Sequence, residues 1–179
     1  SHRIIPVSDC LIGNEICAPV VDILIQYFER NRLPIYDEAT GKGAIRRIFI
    51  RNAPQSGEIM VVISAALTDL PDKRWLIDAL QQLDPGIVSL ILNINTKAGN
   101  TVLSPLNKVI WGRDYLTDEL LGVTFHISAN SFYQVNSKGA EKIYQTALAY
   151  AQLTADDVVW DLYCGIGTMT LLAAKRARR

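Results

Sequence analysis

At 179 residues, about half of them hydrophobic, the chain is long enough to bury a sizeable core and short enough to be one domain or two small ones. Eighteen Lys and Arg stand against eighteen Asp and Glu, so no global field favours a polyanionic partner, and any nucleic-acid contact has to come from local patches. Three cysteines, Cys10, Cys17 and Cys164, form no Cys-x-x-Cys pair, and the sequence shows neither a signal peptide nor an apolar run of about 18 residues; the expectation is a cytoplasmic protein with reduced thiols and no membrane contact.

His2 to Val7 reads as a short strand, followed by a polar turn at Ser8-Asp9-Cys10. Taken alone, Cys10 is a small buried hydrophobe, and Cys17 a packing residue. Glu15 to Arg30 carries Ile16, Val20, Ile23, Leu24 and Tyr27 at helical spacing, which Pro19 tolerates if the regular helix begins near it. Asn31 to Pro34 ends that helix, and Asp37 to Gly43 is a glycine-flanked loop. Ala44 to Arg51 and Glu58 to Ala65 read as the two strands of a hairpin around Asn52 to Gly57. Lys42, Arg46, Arg47 and Arg51 cluster on this hairpin and its entry loop. They are either a solvated sheet face or a contact to RNA phosphates.

A second helix spans Asp72 to Leu83 through Trp75, Leu76, Ala79, Leu80 and Leu83, and Pro85-Gly86 ends it. Ile87 to Asn95 is a third strand, a turn at Lys97 to Asn100 follows, and Val109 to Gly112 is a short fourth strand. Helix, strand pair, helix, strand pair predicts a mixed α/β unit whose sheet is covered on one face. Tyr115 to Leu121 and Val123 to Ser128 form a further pair turning at Leu121-Gly122, and Lys138 to Gln152 is a helix. The unit boundary falls between Gly112 and Gly122, dividing the chain into 1–115 and 116–179.

Val158-Val159-Trp160-Asp161-Leu162-Tyr163 reads as a buried strand, Gly165-Ile166-Gly167 as a tight turn, and Met169 to Lys175 as a helix. Strand, glycine turn and helix make a place where a ligand can lie against the backbone. Three readings stay open for it: a plain connection, a dinucleotide site, or an S-adenosylmethionine site. The dinucleotide reading lacks its third glycine, where Thr170 stands, and its acidic ribose ligand would be due about 20 residues later. An S-adenosylmethionine site has no pyrophosphate to cradle and suits Asp161 at the strand end with Tyr163 beside the turn.

Upstream stands Phe125-His126-Ile127-Ser128-Ala129-Asn130-Ser131-Phe132-Tyr133-Gln134-Val135-Asn136. In tandem with Asp161-Leu162-Tyr163-Cys164-Gly165-Ile166-Gly167-Thr168, it resembles the RNA 5-methyluridine methyltransferase family, of which the chain would be a central piece. The resemblance implies a mixed α/β central domain followed by the start of a Rossmann-like class I S-adenosylmethionine-dependent methyltransferase domain. It implies S-adenosylmethionine as cofactor, a structured ribosomal or transfer RNA as partner, and methylation of uridine carbon 5. Gln134, Asp161, Tyr163, Gly165, Gly167 and Thr168 are the cofactor-binding residues it implies. Phe132 and Tyr133 are candidates to stack on an extruded base, one of them being core.

The same resemblance makes Cys10 a metal ligand, the fourth thiolate of a 4Fe-4S cluster whose other three come from a Cys-rich run that this chain does not contain. Methylating carbon 5 requires that this carbon first be made nucleophilic, which the resembling family does with a cysteine thiolate on carbon 6 and a carboxylate base. The family's nucleophile lies in a Ser-Cys-Asn-Pro motif downstream of the glycine turn and its base near the carboxyl terminus, and neither motif occurs here. No catalytic residue is assigned, Cys164 is read as lining the site, and the chain alone is expected to be inactive. No protein partner is implied. Two rivals remain: a stand-alone RNA-binding module built on Arg46, Arg47 and Arg51, and a piece of a nicotinamide-dependent enzyme.

Overall fold

The computed structural model describes residues 7, 10, 12–97 and 101–178. The expected strand from His2 lies outside the described residues except for Val7, and so does most of the Lys97 to Asn100 turn. The described chain divides into two compact units. One draws on Ser1–Asn52 and Ile59–Asp114, the other on Ala53–Glu58 and Tyr115–Arg179.

In the first unit, helix α1 (Cys17–Arg30) puts Val20, Leu24, Tyr27 and Phe28 inward, and Pro19 sits in its first turn, where a missing N–H costs nothing. Strands β1 (Ile45–Asn52) and β2 (Ile59–Ala65) pair antiparallel. Helix α2 (Lys73–Leu83) then carries the chain to β3 (Ile87–Ile94), which lies parallel to β2, and β4 (Asn107–Gly112) returns antiparallel to β3. A parallel neighbour needs a crossover, and α2 supplies it. The sheet order is β1-β2-β3-β4.

One face of this sheet, through Val61, Ile63, Leu90 and Leu92, joins Leu24 and Tyr27 of α1 and Leu76 and Leu80 of α2 in a single apolar cluster. The other face carries buried polar groups at one end. Asn93 donates to the carbonyls of Ser104 and Leu106 and to Asn107 Oδ1, and Asn95 donates to the Thr101 carbonyl at 3.0 Å, so the 101–107 segment is tied down by side-chain amides. Gly112 takes φ +77°, and a Cβ there would lie 2.0 Å from the Val88 carbonyl oxygen, so the β3–β4 approach requires glycine.

In the second unit, β5 (Tyr115–Leu120) and β6 (Val123–Ser128) form a hairpin with both turn residues, Leu121 and Gly122, at positive φ, the conformation of a tight two-residue turn. Helix α3 (Ser137–Ala151) starts at Asn136, whose side-chain oxygen accepts the Gly139 N–H at 2.9 Å. Helix α4 (Thr168–Ala173) packs Leu172 and Ala173 against Leu148 of α3. Lys175 donates to the Leu121 and Gly122 carbonyls at 2.9 Å each, tying the segment after α4 to the hairpin turn. The loop Ala53–Glu58 also belongs to this unit, although its flanking strands belong to the other.

The strand expected over Val158 to Tyr163 is not formed. Val159 packs against the Leu148–Leu172 cluster, but Val158, Trp160 and Leu162 stand exposed. A strand exists through the ladder it shares with a neighbour, and among the described residues none pairs with this segment.

Candidate functional site

The glycine turn is built from two left-handed glycines, Gly165 at φ +59° and Gly167 at φ +81°, closed by the Gly167 N–H donating to the Cys164 carbonyl at 2.9 Å. Space at Gly165 is open, with no atom within 4 Å of the position a Cβ would take, so a ligand can reach the bare backbone. Ahead of the turn, Asp161 is half-buried and its carboxylate accepts a 2.6 Å hydrogen bond from the Thr170 hydroxyl. Thr170, which stands where a dinucleotide fingerprint would have its third glycine, thus fixes the acidic residue from the far side of the turn. Tyr163 also takes a positive φ, +67°, and is fully exposed; Cys164 and Gly165 are exposed, while Gly167 and Thr168 are half-buried.

The second stretch is an irregular rib pinned at three points. Ser131 exchanges hydrogen bonds with Ser128, its hydroxyl 2.8 Å from the Ser128 hydroxyl and accepting the Ser128 N–H at 3.2 Å. Tyr133 turns inward: its ring packs on Phe125 with centroids 6.2 Å apart, and its hydroxyl donates to Asp118 Oδ2 at 3.2 Å. Burial first, and then the Asp118 carboxylate, push the Tyr133 phenol well above its ordinary value, so it stays a donor. Asn136 is the third point, as cap of α3. Between these anchors Phe132 is 75% exposed and Gln134 and Val135 are also outside. Of the two aromatics weighed as a base-stacking surface, Tyr133 is therefore the packed one and Phe132 the free one. Gln134 does not cap the helix, since Asn136 does.

Asp118 was not singled out by the sequence, yet it is the most enclosed charged side chain of the unit, 1% exposed. A lone aspartate in an alternating strand carries no signal, because only the fold shows which face is inward.

The basic cluster is partly spent on its own neighbours. Arg46 lies 4.2 Å over the Tyr36 ring and Arg51 5.1 Å from the Phe49 ring. Arg47 is half-buried and Lys42 exposed. Cys10 is exposed, and among the described residues no group of three His, Cys, Asp or Glu gathers where a metal ion could sit. One thiolate does not hold a cluster, so the residues described here do not fit one by themselves. Among the same residues no helix is long and apolar enough to cross a membrane.

Comparison with known proteins gives these elements a context. The chain is 41% identical over 177 residues to an uncharacterized RNA methyltransferase of Caldanaerobacter subterraneus subsp. tengcongensis, covering 99% of this chain and 39% of that one. The corresponding proteins of Clostridium tetani and Listeria monocytogenes are 38% and 39% identical, each over 179 residues and again across 39% of their length. By sequence, the chain is similar to one segment of proteins named RNA methyltransferases. It spans about two fifths of the curated relatives it matches. No family model matches it. Among solved structures, this segment superimposes on the Pyrococcus abyssi tRNA (uracil-54, C5)-methyltransferase in complex with S-adenosyl-L-homocysteine, with a TM-score of 0.80 and 20% identity, over 97% of this chain and 40% of that one. The fold is thus the mixed α/β fold expected from the sequence, and the match extends through the glycine turn.

Proposed function

We propose that the protein to which this segment belongs transfers a methyl group from S-adenosylmethionine to carbon 5 of a uridine in a ribosomal or transfer RNA. The observation that carries the reading is the open backbone at Gly165 beside an anchored Asp161, in a chain that also holds the pinned Phe132–Gln134 rib. When bound, the cofactor supplies an electrophilic methyl group. Gly165 and Gly167 let its amino-acid part approach the main chain, Asp161 and Thr168 offer polar contacts, and the Tyr163 ring offers apolar cover. Gln134 has two donors and an acceptor for the cofactor or the uracil edge, and Phe132 has a free ring face for an extruded base.

The thiolate that attacks carbon 6 and the base that takes the carbon 5 proton are assigned to parts of the relatives' length that this chain does not span. Lys42 and Arg47 are the cations of the β1 cluster best placed for RNA phosphates, because Arg46 and Arg51 are stacked on aromatic rings. Cys10 is read as one thiolate of a 4Fe-4S cluster completed by cysteines outside this chain, and three cysteines without a disulfide fit a cytoplasmic location.

The test is radiolabelled methyl transfer from S-adenosylmethionine to RNA by the full-length protein, with mapping of the modified nucleotide. Methylated uridine carbon 5 is expected, together with calorimetric binding of S-adenosylhomocysteine that Gly165→Val abolishes by filling the open space. Methylation of a different base, or unchanged binding by Gly165→Val, would overturn the assignment.

A further inference from the structure

Asp118 is buried to 1% exposure without a cation among the partners found for it. A carboxylate held that way is costly, and hydrogen bonds to it have to offset the cost. Here each oxygen holds a different segment. Oδ1 accepts the Gln55 N–H at 3.0 Å, and Oδ2 accepts the Tyr133 hydroxyl at 3.2 Å. The Gln55 segment is itself docked on β5 from both sides: the Ser56 hydroxyl donates to the Thr117 carbonyl at 2.6 Å, and the Thr117 N–H donates to Glu58 Oε2 at 2.7 Å. Phe125, opposite Asp118 across the hairpin, is the ring on which Tyr133 packs. Tyr133 is thus held directly by Asp118 and the Phe125 ring, and the loop acts on it through Asp118.

The residues on either side of it, Phe132 and Gln134, are exposed where Tyr133 is half-buried, so the anchored ring leaves its two neighbours facing outward. We propose that Asp118 is a positioning residue, and that the Asp118–Tyr133 hydrogen bond sets the direction in which Phe132 and Gln134 present themselves to cofactor and substrate. This rests on the reading of those two residues given above. It adds the 53–58 loop to the site's support, since that loop supplies the second donor to the carboxylate. Losing the tyrosine hydroxyl frees the middle of the rib while Ser131 and Asn136 still hold its ends.

Three variants of the full-length protein, with Gln134→Ala as a fourth background, decide it. Tyr133→Phe keeps the ring on Phe125 and removes one O–H. Asp118→Asn keeps an acceptor for Gln55 and a polar group for the phenol, and Asp118→Ala keeps neither. Amide hydrogen exchange over residues 131–136 is expected to quicken about fivefold in Tyr133→Phe and Asp118→Ala and to stay near the parent in Asp118→Asn. Methyl transfer should fall about tenfold in kcat for Tyr133→Phe, with the RNA KM within about twofold. In a Gln134→Ala background the same change should cost less than about twofold, because its effect runs through Gln134. Parent-like exchange in Tyr133→Phe, or losses from Tyr133→Phe and Gln134→Ala that simply multiply, would overturn the proposal. If the parent methylates no RNA, the proposed function fails, while the exchange measurement still decides whether Asp118 and Tyr133 hold the rib.

Discussion

Ile59–Ala65 and Val158–Tyr163 are two short runs rich in large apolar residues, and they meet opposite fates. Every residue of the first is buried in the middle of a sheet, with β1 on one side and β3 on the other. In the second, Val158, Trp160 and Leu162 stand 58, 82 and 75% exposed, and no ladder forms. Val159 and Asp161 are half-buried, so the alternation of a strand persists without its hydrogen bonds. The difference teaches that apolar side chains choose a face only once the backbone has partners.

The strongest way to break this comparison is to place one charge in each run. Val61→Asp puts an unpaired carboxylate into the cluster shared by α1, α2 and the sheet, and should cost about 4 kcal/mol or more, enough to unfold the first unit. Trp160→Asp should change stability by no more than about 0.5 kcal/mol in this chain. Urea denaturation followed by circular dichroism reads both; equal losses would mean that Trp160 is covered.

Glycines sharpen the same contrast at smaller scale. Gly112→Ala drives a methyl group to within 2.0 Å of the Val88 carbonyl at φ +77°, and should cost about 3 kcal/mol. Gly165→Ala meets no atom within 4 Å and carries only the left-handed backbone penalty of about 1 kcal/mol. Thermal melts that ranked the two alike would remove the distinction between a glycine needed for packing and one left open for a ligand.

The same contrast extends to a pH dependence inside the buried region. Tyr27 is fully enclosed and donates to the Pro71 carbonyl. Burial first, and then Asp72 and Asp69, push its phenol up to about 12 from 10.0. A raised pKa means that the unfolded chain loses this proton first. The stabilisation is therefore complete below pH 10 and is lost as pH rises toward about 12. Denaturation midpoints measured across that window should decline, and Tyr27→Phe should flatten the decline.

Much of the fold was legible because its signals are local. Val20, Leu24 and Tyr27 at helical spacing announce α1, and Leu76 and Leu80 announce α2. The hairpin turn at Leu121-Gly122 was readable from a glycine between two alternating runs. The candidate site was legible in its motif residues but not in their support: nothing local distinguishes Asp118 from a solvent-facing aspartate, or Tyr133 from Phe132, until β5, β6 and the 53–58 loop come together.

By itself, the sequence determined the two helices and the hairpins of the first unit, the glycine turn, and the tandem of motifs in which the chain resembles RNA methyltransferases. These depend on residue spacing and on backbone conformations that single residues dictate. Only the tertiary structure decided that β2 and β3 lie parallel, that Ala53–Glu58 joins the second unit, that Val158–Tyr163 stays unpaired, and that Asp118 faces inward to hold Tyr133. Each of those is a pairing between segments far apart in the chain, and its free energy depends on which partner is available rather than on the residues of either segment alone.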